Sequence, residues 1–224
     1  MANVSGELPS SGQAPKLTLN DTSNLSALIV VTFLKDILEE HYYEGLVKGI
    51  TDQKRFRELT ERENIRNMVQ KVTGKLKAIM AKFPESNVTS VRQRCSRLDI
   101  HQANASAKYH VTAQHLFHDG ITWGRLALFY SFTASFCVYV AESQMEDLVD
   151  STIEWCLALQ HSRLDPWILQ SHGWDGFVEY ADKALGEKPQ VNEDDETHFH
   201  FSGKLVAAAA VIGAAALASF FGSR

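Results

Sequence analysis

The sequence predicts an all-α fold, a helical bundle around a central apolar hairpin. Between Lys16 and Pro166 the only proline is Pro84, and no alternating strand pattern bounded by Asn-Gly or Asp-Gly turns appears. Residues 126–141 are sixteen consecutive uncharged positions that are apolar on every side of a helix. Such a helix either spans a membrane or is surrounded by other helices. Because sixteen residues are short for a span, we place this helix at the centre of the bundle.

The other predicted helices surround this central one. The first begins near Asp21, Ser23 or Ser26, which are residue types that cap helices. Residues 145–159 are amphipathic and would pair antiparallel with the central helix, which completes the hairpin. The helices expected from apolar spacing and from Gly and Pro punctuation cover residues 28–38, 65–83, 91–98, 105–117, 122–141, 145–159, a short segment that begins at Pro166, and 174–184.

The chain divides into four parts by composition, with the helical domain at residues 22–185. Residues 1–21 are rich in Ser, Gly, Pro and Asn and lack the apolar stretch of a secretory signal, so we expect a flexible N-terminus. Residues 186–203 carry the acidic run Glu193-Asp194-Asp195-Glu196, which is typical of a solvated linker.

The fourth part, residues 204–224, is expected to be a C-terminal transmembrane helix that anchors the chain. In residues 205–221 the only polar side chain is Ser219, and the basic residues Lys204 and Arg224 flank the stretch. An anchor at this end would leave the helical domain in the cytosol. Seventeen residues are the short end of a span, so a C-terminal helix folded back onto the domain is the alternative.

Composition argues against several functional classes. The net charge of −5 disfavours nucleic acid as the main partner, and three scattered cysteines indicate free thiols in a reducing compartment. The sequence has no phosphate loop, no metal-binding Cys/His spacing and no Gly-x-Ser-x-Gly nucleophile motif, so we expect neither an enzyme nor a bound cofactor. We interpret His110, His115 and His118 as part of a polar, partly exposed helix rather than as metal ligands.

Three segments resemble homology motifs of the Bcl-2 family of apoptosis regulators. The core of the first motif in that family is Asn-Trp-Gly-Arg, and the second follows about forty residues later, as it does here. The resemblance covers about residues 22–224 and implies a helical bundle whose surface groove binds the BH3 helix of a pro-apoptotic relative. The residues that carry it are 116–125 for the first motif, 165–168 with 173–178 for the second, and 29–34 with Tyr42-Tyr43 for the fourth.

The first motif supplies the expected centre of the binding site. Gly124 has no side chain, so another helix can approach it closely, and Arg125 is a planar donor at the start of the long apolar helix. The resemblance implies that Arg125 pairs with the aspartate of a bound BH3 helix, whereas an internal salt bridge is the alternative. Thr122 replaces the usual asparagine of the family; its hydroxyl can still cap the helix.

Apolar residues are expected to line the groove. Each of them could instead be plain core, and the large aromatic residues Trp123, Trp167 and Trp174 are interpreted as packing anchors. The residues proposed as groove lining are Phe83, Val91, Tyr109, Leu116, Leu126 and Phe132.

The third homology motif favours a pro-survival protein. Residues 72–83 have the family's apolar spacing, but Met80 and Ala81 stand where the motif has Gly and Asp. The helix is therefore poorly suited to enter another molecule's groove, as a Bak/Bax-like pore former requires; that pro-death type is the alternative. The resemblance further implies BH3 helices of pro-death relatives as partners. It places the chain on the cytosolic face of intracellular membranes, at the mitochondrial outer membrane or the endoplasmic reticulum.

Overall fold

The computed structural model describes residues 18–47, 54–82, 95 and 99–186. These residues are helical and contain no strand, so the all-α prediction is confirmed. The predicted helix 91–98, the linker and the C-terminal anchor lie almost wholly outside the described residues. The helices are α1 (Leu19–Glu40), α2 (Lys54–Thr60), α3 (Glu63–Lys82), α4 (Ala105–Leu116), α5 (Trp123–Glu142), α6 (Asp147–Leu159), a π-helical turn (Gln160–Leu164), α7 (Asp165–Gln170) and α8 (Gly173–Gly186).

Helix α1 begins at a reciprocal cap. The Asp21 N–H donates to Thr18 Oγ1 (3.2 Å), while the Thr18 N–H (3.2 Å) and hydroxyl (2.7 Å) donate to Asp21 Oδ2. These bonds satisfy N–H groups that the first helical turn leaves without partners. The helix therefore starts at Leu19, earlier than the predicted stretch 28–38, and it packs against α3, α5 and α7.

Helix α5 lies at the centre of the bundle. It packs against α1, α3, α4 and α6, and fourteen of its twenty residues are buried. Two of its buried hydroxyls bond within the helix, Thr133 Oγ1 to the Phe129 carbonyl (2.9 Å) and Ser135 Oγ to the Ser131 carbonyl (2.8 Å). By length and composition α5 is the one described helix that could cross a membrane, but 83% of that stretch is buried in the protein. Together with α6 it forms the predicted apolar hairpin.

Charged side chains fix α3 between two neighbouring helices. Lys77 Nζ lies 2.7 Å from Asp36 Oδ2 and 3.1 Å from Glu40 Oε1, both on α1, while Lys75 pairs with Asp182 on α8. Partial burial alone would lower the pKa of Lys77, but its bonds to the two carboxylates raise that pKa above the ordinary 10.5. The ion pairs therefore complement the apolar face that α3 turns to the core.

A buried polar chain connects α5 to the start of α7. The Tyr130 hydroxyl donates to Gln160 Oε1, and Gln160 Nε2 donates to Asp165 Oδ1 (2.5 Å). Asp165, the first residue of the second motif, is only 1% exposed. A buried carboxylate needs such donors, because removing a charge from water without compensation is costly. The π-helical turn between α6 and α7 contributes Gln160, whose side-chain N–H is such a donor.

Three of the four tryptophans pack together where α5, α7 and α8 meet. The Trp123 ring lies 4.6 Å from Trp167, 6.3 Å from Trp174 and 5.8 Å from Phe177, measured between centroids. Trp174 is 2% exposed, and its Nε1–H donates to Ser26 Oγ of α1 (3.0 Å). These residues hold the N-terminal end of α5 against the rest of the bundle.

Candidate functional site

Thr122 caps the helix that begins the candidate site. Its backbone is extended, and its Oγ1 accepts a hydrogen bond from the Arg125 N–H (3.2 Å). The capping role predicted for this hydroxyl is therefore present. The cap fixes the first turn of α5, and with it the position from which Arg125 extends.

The Arg125 guanidinium is held by the turn that precedes α5. Its Nη1 donates to the Gly120 carbonyl (3.0 Å), and its Nη2 lies 3.1 Å from Asp119 Oδ2. The arginine side chain is 17% exposed and the aspartate side chain 66%. An internal salt bridge, the alternative left open by the sequence, is thus formed here. It uses only part of the five N–H groups that a guanidinium carries.

Asp119 has a second partner in its neighbour His118. The His118 Nδ1 lies 2.8 Å from Asp119 Oδ1, so the two carboxylate oxygens face different residues. The hydrogen bond from His118, followed by the Arg125 charge, lowers the pKa of Asp119 below its ordinary 3.8. Asp119 is therefore charged at neutral pH, and Arg125 faces an anion in this conformation.

A second arginine, Arg163, contacts the turn that precedes α5. Arg163 of the π-helical turn donates from Nη2 to the Phe117 carbonyl (2.9 Å), and its guanidinium carbon lies 5.6 Å from the centroid of the Phe117 ring. The turn also contains Gly120 at φ +102°, a backbone conformation that favours glycine. This geometry directs the Gly120 carbonyl to Arg125.

Two of the groove candidates, Tyr109 and Phe132, lie in a tightly packed aromatic wall between α4, α5 and α6. Tyr109 is 1% exposed; its ring stacks on Phe132 (centroids 5.5 Å apart) and contacts Phe136 and Trp155. Its hydroxyl shares a 2.9 Å hydrogen bond with Thr133, and burial raises the pKa of the phenol. The wall belongs to the core in this conformation.

Partner contact by the proposed lining residues stays a prediction. Leu116 (5% exposed), Leu126 (0%) and Phe132 (7%) are buried like Tyr109, while Gly124 is half-buried beside Arg125. Phe83 and Val91 lie outside the described residues. The structure therefore brings Thr122, Gly124 and Arg125 together at the start of α5, the helix that also carries Leu126 and Phe132.

Sequence reasoning missed the role of Asp119 and Gly120. Both residues were part of the first motif, yet neither was selected as part of the site. The Asp119–Arg125 contact could have been predicted. Asp119 lies in a turn six residues before Arg125, and Gly120 allows that turn to close so that the two side chains meet. Arg163 could not have been found from local spacing, because it is 46 residues from Phe117 in the chain.

Residues 76–174 match the family model described as "Apoptosis regulator proteins, Bcl-2 family". Bcl-2-like protein 1 of Gallus gallus is 34% identical over 125 residues, which are 55% of this chain and 52% of that protein. The chain thus spans about half the length of the curated relatives it matches.

Two solved structures share the fold. Geodia cydonium BHP2, in complex with Lubomirskia baicalensis Bak-2, aligns with a TM-score of 0.63 at 23% identity, over 78% of this chain and all of that one. Trichoplax adhaerens trBcl-2L2, bound to trBak BH3, aligns with a TM-score of 0.57 at 21% identity, over 71% of this chain and 98% of that one. These two likenesses show the fold alone, while residues 76–174, a little under half of the chain, match the Bcl-2 family model.

Proposed function

We propose that this chain is a pro-survival regulator of apoptosis that sequesters the BH3 helices of pro-death relatives. The observation that carries the proposal is the position of Arg125, a partly exposed guanidinium at the capped start of the central helix α5. The two fold neighbours were each solved in complex with a Bak protein or a Bak BH3 segment, which supports this kind of partner.

Arg125 is suited to recognise one carboxylate on an otherwise apolar helix. A guanidinium binds a carboxylate through two parallel N–H···O bonds, which fixes the orientation of the ligand as well as attracting it. Apolar side chains of the same ligand helix would supply most of the buried area, and the arginine would set their register. This division is typical of an amphipathic helix bound in a groove.

The survival assignment depends on α3. Met80 is 5% exposed and belongs to the core, and the exposed neighbour Ala81 offers no carboxylate. A pore former of the same fold must release this helix and place it in a neighbour's groove. Met80 would crowd that contact, and Ala81 would leave the neighbour's arginine unpaired. Both features favour the receptor role over the ligand role.

Residues 204–224 are proposed as a tail anchor that holds the domain on the cytosolic face of the mitochondrial outer membrane or the endoplasmic reticulum. The uncharged stretch between basic residues supports this assignment. Fusion of residues 200–224 to a soluble fluorescent protein tests it. Membrane fractions should retain the fusion after carbonate washing, and loss of the fusion in that wash would remove the anchor from the account.

Titration calorimetry of the full chain with a Bak-type BH3 peptide tests the binding function. We expect a 1:1 complex, and we expect Arg125→Ala to weaken it by about 2–5 kcal/mol because the ligand's aspartate would be buried without a partner. Arg57→Ala, which removes the same charge from α2, should leave the affinity unchanged. Equal affinities for wild type and Arg125→Ala would remove this residue from the site.

A further inference from the structure

In this structure the Arg125 guanidinium already has two partners within the protein. Asp119 Oδ2 lies 3.1 Å from Nη2, and the Gly120 carbonyl accepts from Nη1 at 3.0 Å. The arginine side chain is mostly enclosed while the aspartate side chain is 66% exposed, so the pair lies at the protein surface. A carboxylate that approaches Arg125 from outside therefore meets a neutralised pair rather than an open cation.

We propose that Asp119 competes with the carboxylate of an incoming helix for Arg125, so that displacement of Asp119 is a step in binding and Asp119 sets the affinity of the site. The inference rests on the proposed function, because it assumes an acidic ligand helix at Arg125. Two like-charged carboxylates at one guanidinium repel each other, and the arginine cannot form its best paired geometry with both at once.

Asp119 keeps a hydrogen-bond partner, His118, when it leaves Arg125. Its other oxygen already accepts a hydrogen bond from His118 Nδ1 at 2.8 Å, and both side chains of that pair are largely exposed. Displacement thus moves a carboxylate to water and to a second donor. Exposed ion pairs are weak, because water and salt replace them readily, so the competition lowers ligand affinity without abolishing it.

The same turn keeps its backbone during the exchange. Arg163 holds the Phe117 carbonyl at 2.9 Å, and Thr122 caps α5 through the Arg125 N–H at 3.2 Å. Neither bond involves the Asp119 carboxylate. Removal of that carboxylate therefore changes the charge next to Arg125 while the position from which Arg125 extends is preserved.

A binding cycle between protein and peptide tests the competition. The full chain and its Asp119→Asn variant are titrated with a Bak-type BH3 peptide and with the same peptide in which its aspartate is replaced by asparagine. Asp119→Asn should bind the acidic peptide about 2- to 5-fold more tightly, the range that an exposed ion pair supports. The gain should disappear with the asparagine peptide and in an Arg125→Ala background.

Asp175→Asn is the matched control, because it removes an exposed aspartate from α8 and changes the net charge equally. It should leave both affinities unchanged. A gain of the same size in this control would assign the effect to overall charge and overturn the competition.

The outcomes separate this inference from the function on which it rests. If wild type binds and Asp119→Asn binds equally or more weakly, the competition is overturned and the BH3-binding function stands; weaker binding would show that Asp119 orients Arg125 instead. Binding by Asp119→Asn alone would support the competition but overturn the expectation that Asp119 only lowers the affinity. Binding by neither protein, with both folded by circular dichroism, overturns the function and the competition together.

Discussion

Asp21 illustrates how one exposed carboxylate at a helix start makes stability depend on pH. The hydrogen bonds from the Thr18 side chain and then from its backbone lower the pKa of Asp21 below the ordinary 3.8. A carboxylate whose pKa is lower in the folded state than in the unfolded state stabilises the fold above the unfolded value. That contribution is lost as the pH falls through the lower, folded value. The cap therefore favours α1 at neutral pH and not in strong acid.

We expect Asp21→Asn to melt at a lower temperature than wild type at about pH 6, because the reciprocal cap with Thr18 loses its charged acceptor. The difference should be smaller at an acid pH near the lower, folded pKa, where the wild-type carboxylate takes up its proton. Thermal melts followed by circular dichroism at both pH values measure it. A difference that is the same at both pH values would contradict the linkage.

Gly176 is required by a close backbone approach at the start of α8. A Cβ at this position would lie 2.3 Å from the Ser171 carbonyl oxygen and 3.3 Å from the Trp123 ring, and the carbonyl cannot rotate away as a flexible side chain could. Gly176→Ala should lower the free energy of unfolding by about 1–3 kcal/mol. Urea denaturation measures this change.

Gly74 of α3 is the matched control, since a Cβ there meets nothing within 4 Å. Gly74→Ala should stabilise the protein by about 0.5–1 kcal/mol, because alanine loses less backbone entropy in a helix than glycine does. If both variants shift the urea midpoint in the same direction, the close approach at Gly176 is not what selects glycine.

At the residue scale the sequence could identify candidate side chains but not all the residues that they contact in the fold. The capping role of Thr122 was predictable because it depends on a neighbour three residues away. A close backbone approach is found at Gly176, where it depends on how α8 packs after Ser171, and the close approach expected at Gly124 stays a prediction. The Asp119–Arg125 pair depends on a turn whose backbone is set by Gly120, and spacing alone left it as one of two alternatives.

At the scale of single helices, the proposed survival role predicts that α3 is a poor ligand for a groove. Met80 and Ala81 stand where the third homology motif has Gly and Asp. We expect a peptide of residues 68–87 with Met80→Gly and Ala81→Asp to bind this protein much more tightly than the native peptide. Relief of the crowding by Met80 accounts for about 1–3 kcal/mol of the gain. Fluorescence anisotropy of labelled peptides measures both affinities.

The single changes act as controls in that series. Met80→Gly alone carries a helix-propensity cost of about 1 kcal/mol, so it should gain less than the double change. The gain from Ala81→Asp should depend on Arg125 and vanish with Arg125→Ala protein. A native peptide that binds as well as the double variant would remove the physical basis for the survival assignment.

Helices with long repeats of apolar residues were predictable. The short helix α2 and the π-helical turn, which is joined to its neighbours by polar side chains, were not. The 3.6-residue period locates α3, α4, α5 and α6 within a few residues. Helix α2 has only seven residues, with Phe56 as its buried side chain, so it offers less than two turns of pattern. The π-helical turn was expected as a break between α6 and α7; the Tyr130–Gln160–Asp165 chain stabilises it as continuous helix.

For the whole molecule, the sequence predicted the helical architecture more completely than it predicted the ligand-binding surface. A sixteen-residue uncharged helix must lie at the centre of such a bundle, which determines the hairpin and the order of layers around it. Which apolar residues open to a partner depends on differences in packing that periodicity does not contain. Tyr109, Leu116, Leu126 and Phe132 are all buried in this conformation, so their expected contact with a ligand has to be measured.

Dye release from liposomes tests the central claim most directly. The full chain is added to the liposomes together with a Bak-type pore former and an activating BH3 peptide. We expect the chain to suppress release in proportion to its amount, Arg125→Ala to suppress it poorly, and the chain with the peptide alone to release no dye. Release by the chain and peptide alone, at the efficiency of the pore former, would contradict the pro-survival assignment.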